Sequence, residues 1–157
     1  MSEERLTHLN ERGEANMVDV SSREVTTRSA TASGKVKLSS EVLNAIANNQ
    51  TPKGDVLATA RIAGIMGAKK TSELIPLCHP IAIHKVEVEL KIESDGVAIT
   101  SIVKTNDRTG VEMEALTAVS VAGLTLIDMI KALDPSASIT NIQVESKSGG
   151  KNGDWQR

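Results

Sequence analysis

Charged and aliphatic residues alternate from Lys85 to Ile92, KVEVELKI, a period of two that sets one face of a strand against a core and the other in water. Ser94-Asp95-Gly96 supplies a turn, and VAITSIV at 97–103 returns as the partner strand. Upstream, residues 23–38 are rich in Thr, Ser and Val and predict extended structure. Between these strands the period changes. Ser39 or Ser40 can cap a helix whose apolar residues Val42, Leu43, Ile46 and Ala47 share one face, and a second helix is predicted over 55–68, after the loop NNQTPKGD. The longest apolar stretch, 115–133, lies in a helix predicted to begin at Thr109 and to stop near Leu133, before Asp134-Pro135. A last strand covers about 139–145. The order strand, helices, strand, strand, long helix, strand predicts an α+β fold of the ferredoxin-like split βαβ type, an antiparallel sheet with helices on one face. A single domain over 1–157 is expected, with a flexible polar arm at about 1–16 and a Gly- and Lys-rich tail at about 146–157.

Composition sharpens this picture. The chain has no Phe, no Tyr and one Trp, so Val, Ile, Leu, Ala and Met must fill the core through close packing of small side chains. A net charge of −2 and the lack of aromatic platforms argue against nucleic acid as a partner. One cysteine leaves no internal disulfide and fits a reducing compartment. The opening MSEERLTHLNERGEAN has no apolar core of a leader segment, and Thr117, Ser120, Thr125, Asp128 and Lys131 interrupt the run 115–133. The expectation is a cytoplasmic protein that does not engage a membrane.

Several segments carry candidate chemistry. GIMGAKKT at 64–71 fails as a phosphate-binding P-loop because Lys69 stands where the pattern needs Gly, and it reads as the basic C-terminus of a helix. LIPLCHP at 74–80 pairs Cys78 with His79 between Pro76 and Pro80. Two adjacent candidates are too few for zinc, because the other histidines are His8 in the arm and His84, whose parity with Val86 points it into the buried face of its strand. Cys78 reads as a small buried hydrophobe, whereas a fixed His79 imidazole can bond a substrate or shuttle protons. Thr109-Gly110-Val111-Glu112 matches a capping box, which explains Glu112 but leaves Glu114 without a structural reason. Arg108, beside the same helix start, offers a guanidinium to an anion. Asp128 and Lys131, three residues apart in LTLIDMIKAL, read either as a surface salt bridge or as a partly buried acid–base pair with tuned pKa values, and the apolar surroundings favour the second. Lys53, Lys147 and Lys151 sit in Gly-flanked loops and, with Arg28 and Arg108, form a set able to hold a polyphosphate. Glu114 and Asp128 are fourteen residues apart, about 21 Å along a helix, so one subunit cannot bring both to one reacting atom.

VDVS, KGDVLATARIAGI, LIPLCHP, KVEV, DRTGVEMEALTAVSVAGLTLIDMIKA and KSGGK, in that order from about residue 7 to 153, resemble the cyclic pyranopterin monophosphate synthase family (the MoaC type) of molybdenum cofactor biosynthesis. The resemblance implies a ferredoxin-like subunit in a homo-hexamer, a trimer of dimers, with active sites at subunit interfaces. It implies a lyase that converts 3′,8-cyclo-7,8-dihydroguanosine 5′-triphosphate to cyclic pyranopterin monophosphate with release of pyrophosphate. By position it gives Asp128, Lys131 and Lys53 catalytic roles, and Leu77, Cys78, His79, Met113 and Glu114 contact with substrate. It sets Arg28, Lys147 and Lys151 near the triphosphate, with Arg108 at a position where some members carry Lys. No cofactor is required; magnesium is admitted by the chemistry but demanded by no acidic cluster. The competing expectation is a catalytically silent nucleotide- or pterin-binding oligomer of the same fold. A cyclohydrolase is a third, which lacks its metal ligands here.

Overall fold

The computed structural model describes residues 7–157. Residues 1–6 of the anticipated arm lie outside the described residues. Residues 8–16 close on themselves: Leu9 bridges Ala15, and the Asn10 Oδ1 accepts from the amides of Arg12 and Glu14.

The chain then runs through β1 (Thr26–Lys37), α1 (Ser40–Ala47), α2 (Val56–Lys69), α3 (Thr71–Leu74), β2 (Ile83–Glu93), β3 (Gly96–Asp107), α4 (Glu112–Ile130), β4 (Ser138–Ser148) and β5 (Trp155–Gln156). All pairings are antiparallel and the sheet order is β2-β3-β1-β4-β5. The first four strands thus follow the split βαβ arrangement that the sequence order predicts. Alternation selects the covered face: Ala30, Ala32 and Val36 on β1, Val97, Ile99 and Val103 on β3, and Val88 and Leu90 on β2 are all buried. α4 lies over β1, β3 and β4, and α2 packs along α4 and over β2.

Local signals set most boundaries. The Ser39 hydroxyl caps α1 by accepting from the Val42 amide, and the Asp55 carboxylate caps α2 by accepting from the Ala58 amide. Lys69 and Lys70 close α2, as expected of a helix C-terminus. Where α4 ends, the buried Asp134 accepts from the Ser39 amide (2.9 Å), the Ser136 amide (3.0 Å) and the Ser136 hydroxyl (2.6 Å), which ties this end to the start of α1.

Four expectations need correction. α4 begins at Glu112 after Val111, and no side chain caps it, so the Thr109 capping box is not formed. The helix stops at Ile130, with 131–133 in turns. His84 is exposed, because the β2–β3 register slips between Ile83 and Lys85 and the extra residue breaks its parity with Val86. β4 extends to Ser148, and the expected tail folds back so that Trp155 pairs with Lys147 as β5.

With no large rings to fill space, elements touch through small residues. A Cβ on Gly34 would lie 2.7 Å from Val119 Cγ1, and one on Gly67 would lie 2.8 Å from Val121. α4 has the length and the mean hydropathy, 1.6, of a membrane-crossing helix. Its apolar face is already occupied: Ala115, Ala118, Val119, Ala122, Leu126 and Ile130 are all buried in the core.

The α2–α4 seam gives a sign-sensitive test. Gly64→Ala improves intrinsic helix propensity by about 1 kcal/mol. Its methyl, however, would meet the Ala118 carbonyl oxygen at 2.8 Å and Ala122 Cβ at 3.1 Å, and a helix backbone cannot turn aside. We expect a net loss of about 1–3 kcal/mol, read as a lower urea midpoint at unchanged slope. A variant more stable than wild type would contradict this contact.

Candidate active site

Two adjoining cavities open at the start of α4. The first, about 280 Å³, has Leu77, Cys78, His79 and Ile81 on one side, Met113 and Glu114 on another, and Val18, Val20 and Arg23 on a third. LIPLCHP is therefore one wall of a pocket. The His79 Nε2 donates to the Val18 carbonyl at 2.7 Å, so the ring holds the opposite wall as well as lining the space. Glu114 is 3 % exposed, and burial, reinforced by the neighbouring Glu112 charge, pushes its carboxyl up to about 7 despite its own backbone hydrogen bond. Burial and then the Glu114 charge raise the Cys78 thiol, which suits a wall residue and not a nucleophile. Glu114, the acid left without a structural reason, thus stands buried in the cavity wall with its carboxyl raised to about 7.

The second cavity, about 200 Å³, is basic: Arg23, Arg28, Lys147 and Lys151 line it with Gly149 and Gly150. The Arg28 Nε donates to the Asp107 carbonyl at 3.1 Å, and the Lys147 ammonium meets Glu112 Oε1 at 3.2 Å. Gly150 takes φ +83°, and a Cβ there would lie 2.5 Å from Arg28 Nη1, so this glycine lets the guanidinium lie against the loop backbone. Arg23, Gly110 and Glu112 line both cavities and mark their junction.

Lys53, Asp128 and Lys131 gather elsewhere, at the far end of α4. Pro52 and Lys53 occupy the centre of a turn closed by the Gly54 amide on the Thr51 carbonyl, with Gly54 at φ +89°. This turn aims the Lys53 ammonium at Asp128, 2.9 Å from Oδ2 and 2.9 Å from the main-chain carbonyl. Lys131 takes the other carboxylate oxygen at 2.7 Å. Hydrogen bonds from both lysines, Lys131 first, hold the Asp128 carboxyl down at about 2. The partial burial expected of Asp128 and Lys131 is not found within one chain: their side chains are 55 % and 62 % exposed, and that of Lys53 is 48 % exposed.

The remaining expectations sort as follows. Arg108 lines neither joined cavity; its Nε donates to the Arg23 carbonyl at 3.0 Å. Glu112 does not close a capping box: its carboxylate bends over Gly110 towards Lys147. Arg23 was not singled out by sequence reasoning, since a lone arginine in SSREVTTR carries no spacing signal. Among the described residues no group of three His, Cys, Asp or Glu side chains is placed to hold a metal ion.

The MoaC family model matches residues 17–150, which take in the LIPLCHP wall, both ends of α4 and most of the basic cavity. The chain belongs to the MoaC family. A cyclic pyranopterin monophosphate synthase of Streptomyces griseus is 64 % identical over 156 residues, covering 99 % of this chain and 88 % of that protein. One from a Nocardioides species is 58 % identical, covering 99 % and 98 %. Cyclic pyranopterin monophosphate synthase 2 of Mycobacterium tuberculosis is 54 % identical, covering 97 % and 91 %. In this MoaC chain Lys151 falls just beyond the matched span, on the Gly-rich turn that follows β4 and its Lys147.

The raised Glu114 carboxyl has a consequence for folding. Between about pH 4.5, its ordinary value, and about 7 the native chain keeps a proton that the unfolded chain has lost. Its contribution to stability is therefore full below the first value and lost as pH rises through the second. Glu114→Gln removes that loss. Relative to wild type the variant should gain about 1–2 kcal/mol at about pH 8 and nothing at about pH 4, allowing for water in the adjoining cavity. Urea midpoints at the two pH values check this; an equal offset at both would show that Glu114 ionises normally.

Proposed function

We propose that the chain is a cyclic pyranopterin monophosphate synthase of molybdenum cofactor biosynthesis. It converts 3′,8-cyclo-7,8-dihydroguanosine 5′-triphosphate to cyclic pyranopterin monophosphate and pyrophosphate, as a phosphorus–oxygen lyase in the cytoplasm. The observation that carries the reading is the pair of joined cavities, a half-apolar one with a carboxyl titrating near neutrality beside one lined by four cations. The first suits the purine-derived rings, with Leu77, Cys78, His79, Met113 and Glu114 as contacts. The second suits the triphosphate, with Arg23, Arg28, Lys147 and Lys151 neutralising it.

Opening and reclosing rings requires repeated proton transfers, for which Glu114 is poised and for which Lys53, Asp128 and Lys131 form a second relay. A ribose hydroxyl then attacks the α-phosphate. A new P–O bond closes the cyclic phosphate, the bond to pyrophosphate breaks, and the hydroxyl proton passes to a base. The basic cavity stabilises the departing charge. No step is routed through a metal or an organic cofactor, and magnesium on the pyrophosphate is compatible with this scheme.

Four helical turns separate Glu114 from Asp128, so the lysine relay that serves one cavity comes from a second copy. Support for an assembly comes from Ile62 and Met66 on α2 and Leu124 on α4, large apolar side chains that stand exposed on the subunit. A hexamer built from dimers places each relay at an interface, and the partner supplies the burial that brings a lysine into the range of proton transfer.

Purified protein given the cyclic dihydro-GTP substrate should release pyrophosphate and form the pterin product, while Lys53→Ala and Lys131→Ala should fall by about 10²–10⁴ in kcat. No turnover by the wild type would sink the reading. Mixing and reassembling Glu114→Gln with Lys131→Ala subunits, each impaired alone, should restore part of the activity. If verified mixed oligomers stay as slow as their parents, the relay acts within its own subunit.

A further inference from the structure

The segment Met17–Arg23, MVDVSSR, has neither helix nor strand and crosses the mouth of the first cavity as a strap. Its own turn is fixed by the Arg23 amide on the Val20 carbonyl (3.0 Å) and the Ser21 amide on Asp19 Oδ1 (2.9 Å). Among the described residues it is hydrogen-bonded to the rest of the fold at two points. The His79 Nε2 donates to the Val18 carbonyl, and the Arg108 Nε donates to the Arg23 carbonyl. Arg23 is an exposed side chain that lines the ring-sized cavity, the basic cavity and a wider opening of about 560 Å³ beyond it, which it shares with Arg28 and Lys151. It is the cation at the junction, where the α-phosphate of a nucleotide spanning the two cavities falls.

The geometry points to Arg108 as a positioning residue that sets Arg23 through its main-chain carbonyl and does not itself hold the anion. Arg108 stands beside Met17, Asp19 and Pro80 in an open cavity that shares Val18, Val20, His79 and Thr109 with the first one but neither Arg23 nor Glu114. Its amide is taken by Asp107 Oδ1 at 2.6 Å, which fixes the corner from which the side chain reaches. The same corner sets a second arginine, because the Asp107 carbonyl receives the Arg28 Nε. The Arg28 guanidinium and the Arg23 main chain are thus both held from one corner between β3 and α4. A strap with no anchor loses backbone freedom when Arg23 meets an anion, and a main chain already fixed at Arg23 reduces that cost. This inference rests on the joined cavities being the substrate site.

Charge and hydrogen bonding can be separated at Arg108. Arg108→Gln loses the cation but keeps a donor, whereas Arg108→Met loses both. With the cyclic dihydro-GTP substrate, Arg23→Met and Arg108→Met should each raise KM about tenfold, with kcat within about threefold. Arg108→Gln should stay within about threefold of wild type in KM, and the double Met variant should be no worse than about threefold beyond Arg23→Met. Arg108→Gln as impaired as Arg108→Met, or a double variant about a hundredfold down, would overturn the positioning role. Amide hydrogen exchange gives an arm that needs no substrate. In the whole protein Arg108→Met should exchange faster over 17–25 than wild type, and Arg108→Gln should not. Unchanged exchange in Arg108→Met would overturn the strap contact even if the enzyme turned over normally. Faster exchange in Arg108→Met, together with a wild type that does not turn over, would leave the strap contact standing and reject only the substrate reading.

Discussion

Close approach between α4 and its neighbours is the constraint on which this fold depends. A core without Phe or Tyr cannot gain stability from a few large buried rings, so it must bring backbones together and multiply small contacts. Gly34 on β1 and Gly64 and Gly67 on α2 make room for that approach, and Ala118, Val119, Val121 and Ala122 meet them from α4. The result is a helix held rigidly along its length, with one end among the cavities and the other at the lysine pair. Any group on α4 inherits that rigidity, which is what a site needs when proton positions matter.

The same helix carries two carboxyl groups driven in opposite directions. Glu114 is enclosed and rises to about 7; Asp128 is exposed between two ammonium groups and falls to about 2. The difference is one of surroundings, and it divides the labour. A carboxyl near neutrality can give and take protons, while one held ionised can orient and neutralise two lysines. Total charge would not have suggested an anion site, because a net −2 hides a local concentration of Arg23, Arg28, Lys147 and Lys151.

Periodicity made the fold legible wherever the pattern was local. KVEVELKI, the Ser39 cap and the apolar face of α1 each announced themselves, and the order of elements was enough to predict the sheet. It failed where tertiary contacts decide. His84 obeys the alternation rule until a bulge adds a residue, and Thr109 fits a capping box that is not made because Glu112 turns to Lys147 instead. The Gly- and Lys-rich stretch was expected only as a tail beyond the last strand, yet its glycines serve a turn that returns β5 to β4 and seats Arg28. Residue types and resemblance singled out Lys53, Lys131 and Lys147, the LIPLCHP wall and Glu114, which the fold sets at the two ends of α4. They missed Arg23 because its importance lies in facing three cavities at once, which no one-dimensional spacing records.

An antiparallel sheet with helices on one face leaves loops at both ends, and this chain uses the two ends differently. At the β3–α4 end, side chains are fixed by carbonyls: Arg28 by Asp107, His79 by Val18, Arg108 by Arg23. Such bonds hold geometry without consuming the negative side chains that would compete with an anionic ligand for the same cations. Glu112 is the exception, and among the described residues Lys147 is the cation of the basic cavity that is paired with a carboxylate. At the other end of α4 the reverse holds, with both lysines committed to Asp128 and the cluster open to solvent. A helix this stiff keeps the basic cavity and the ion cluster about four turns apart within one chain.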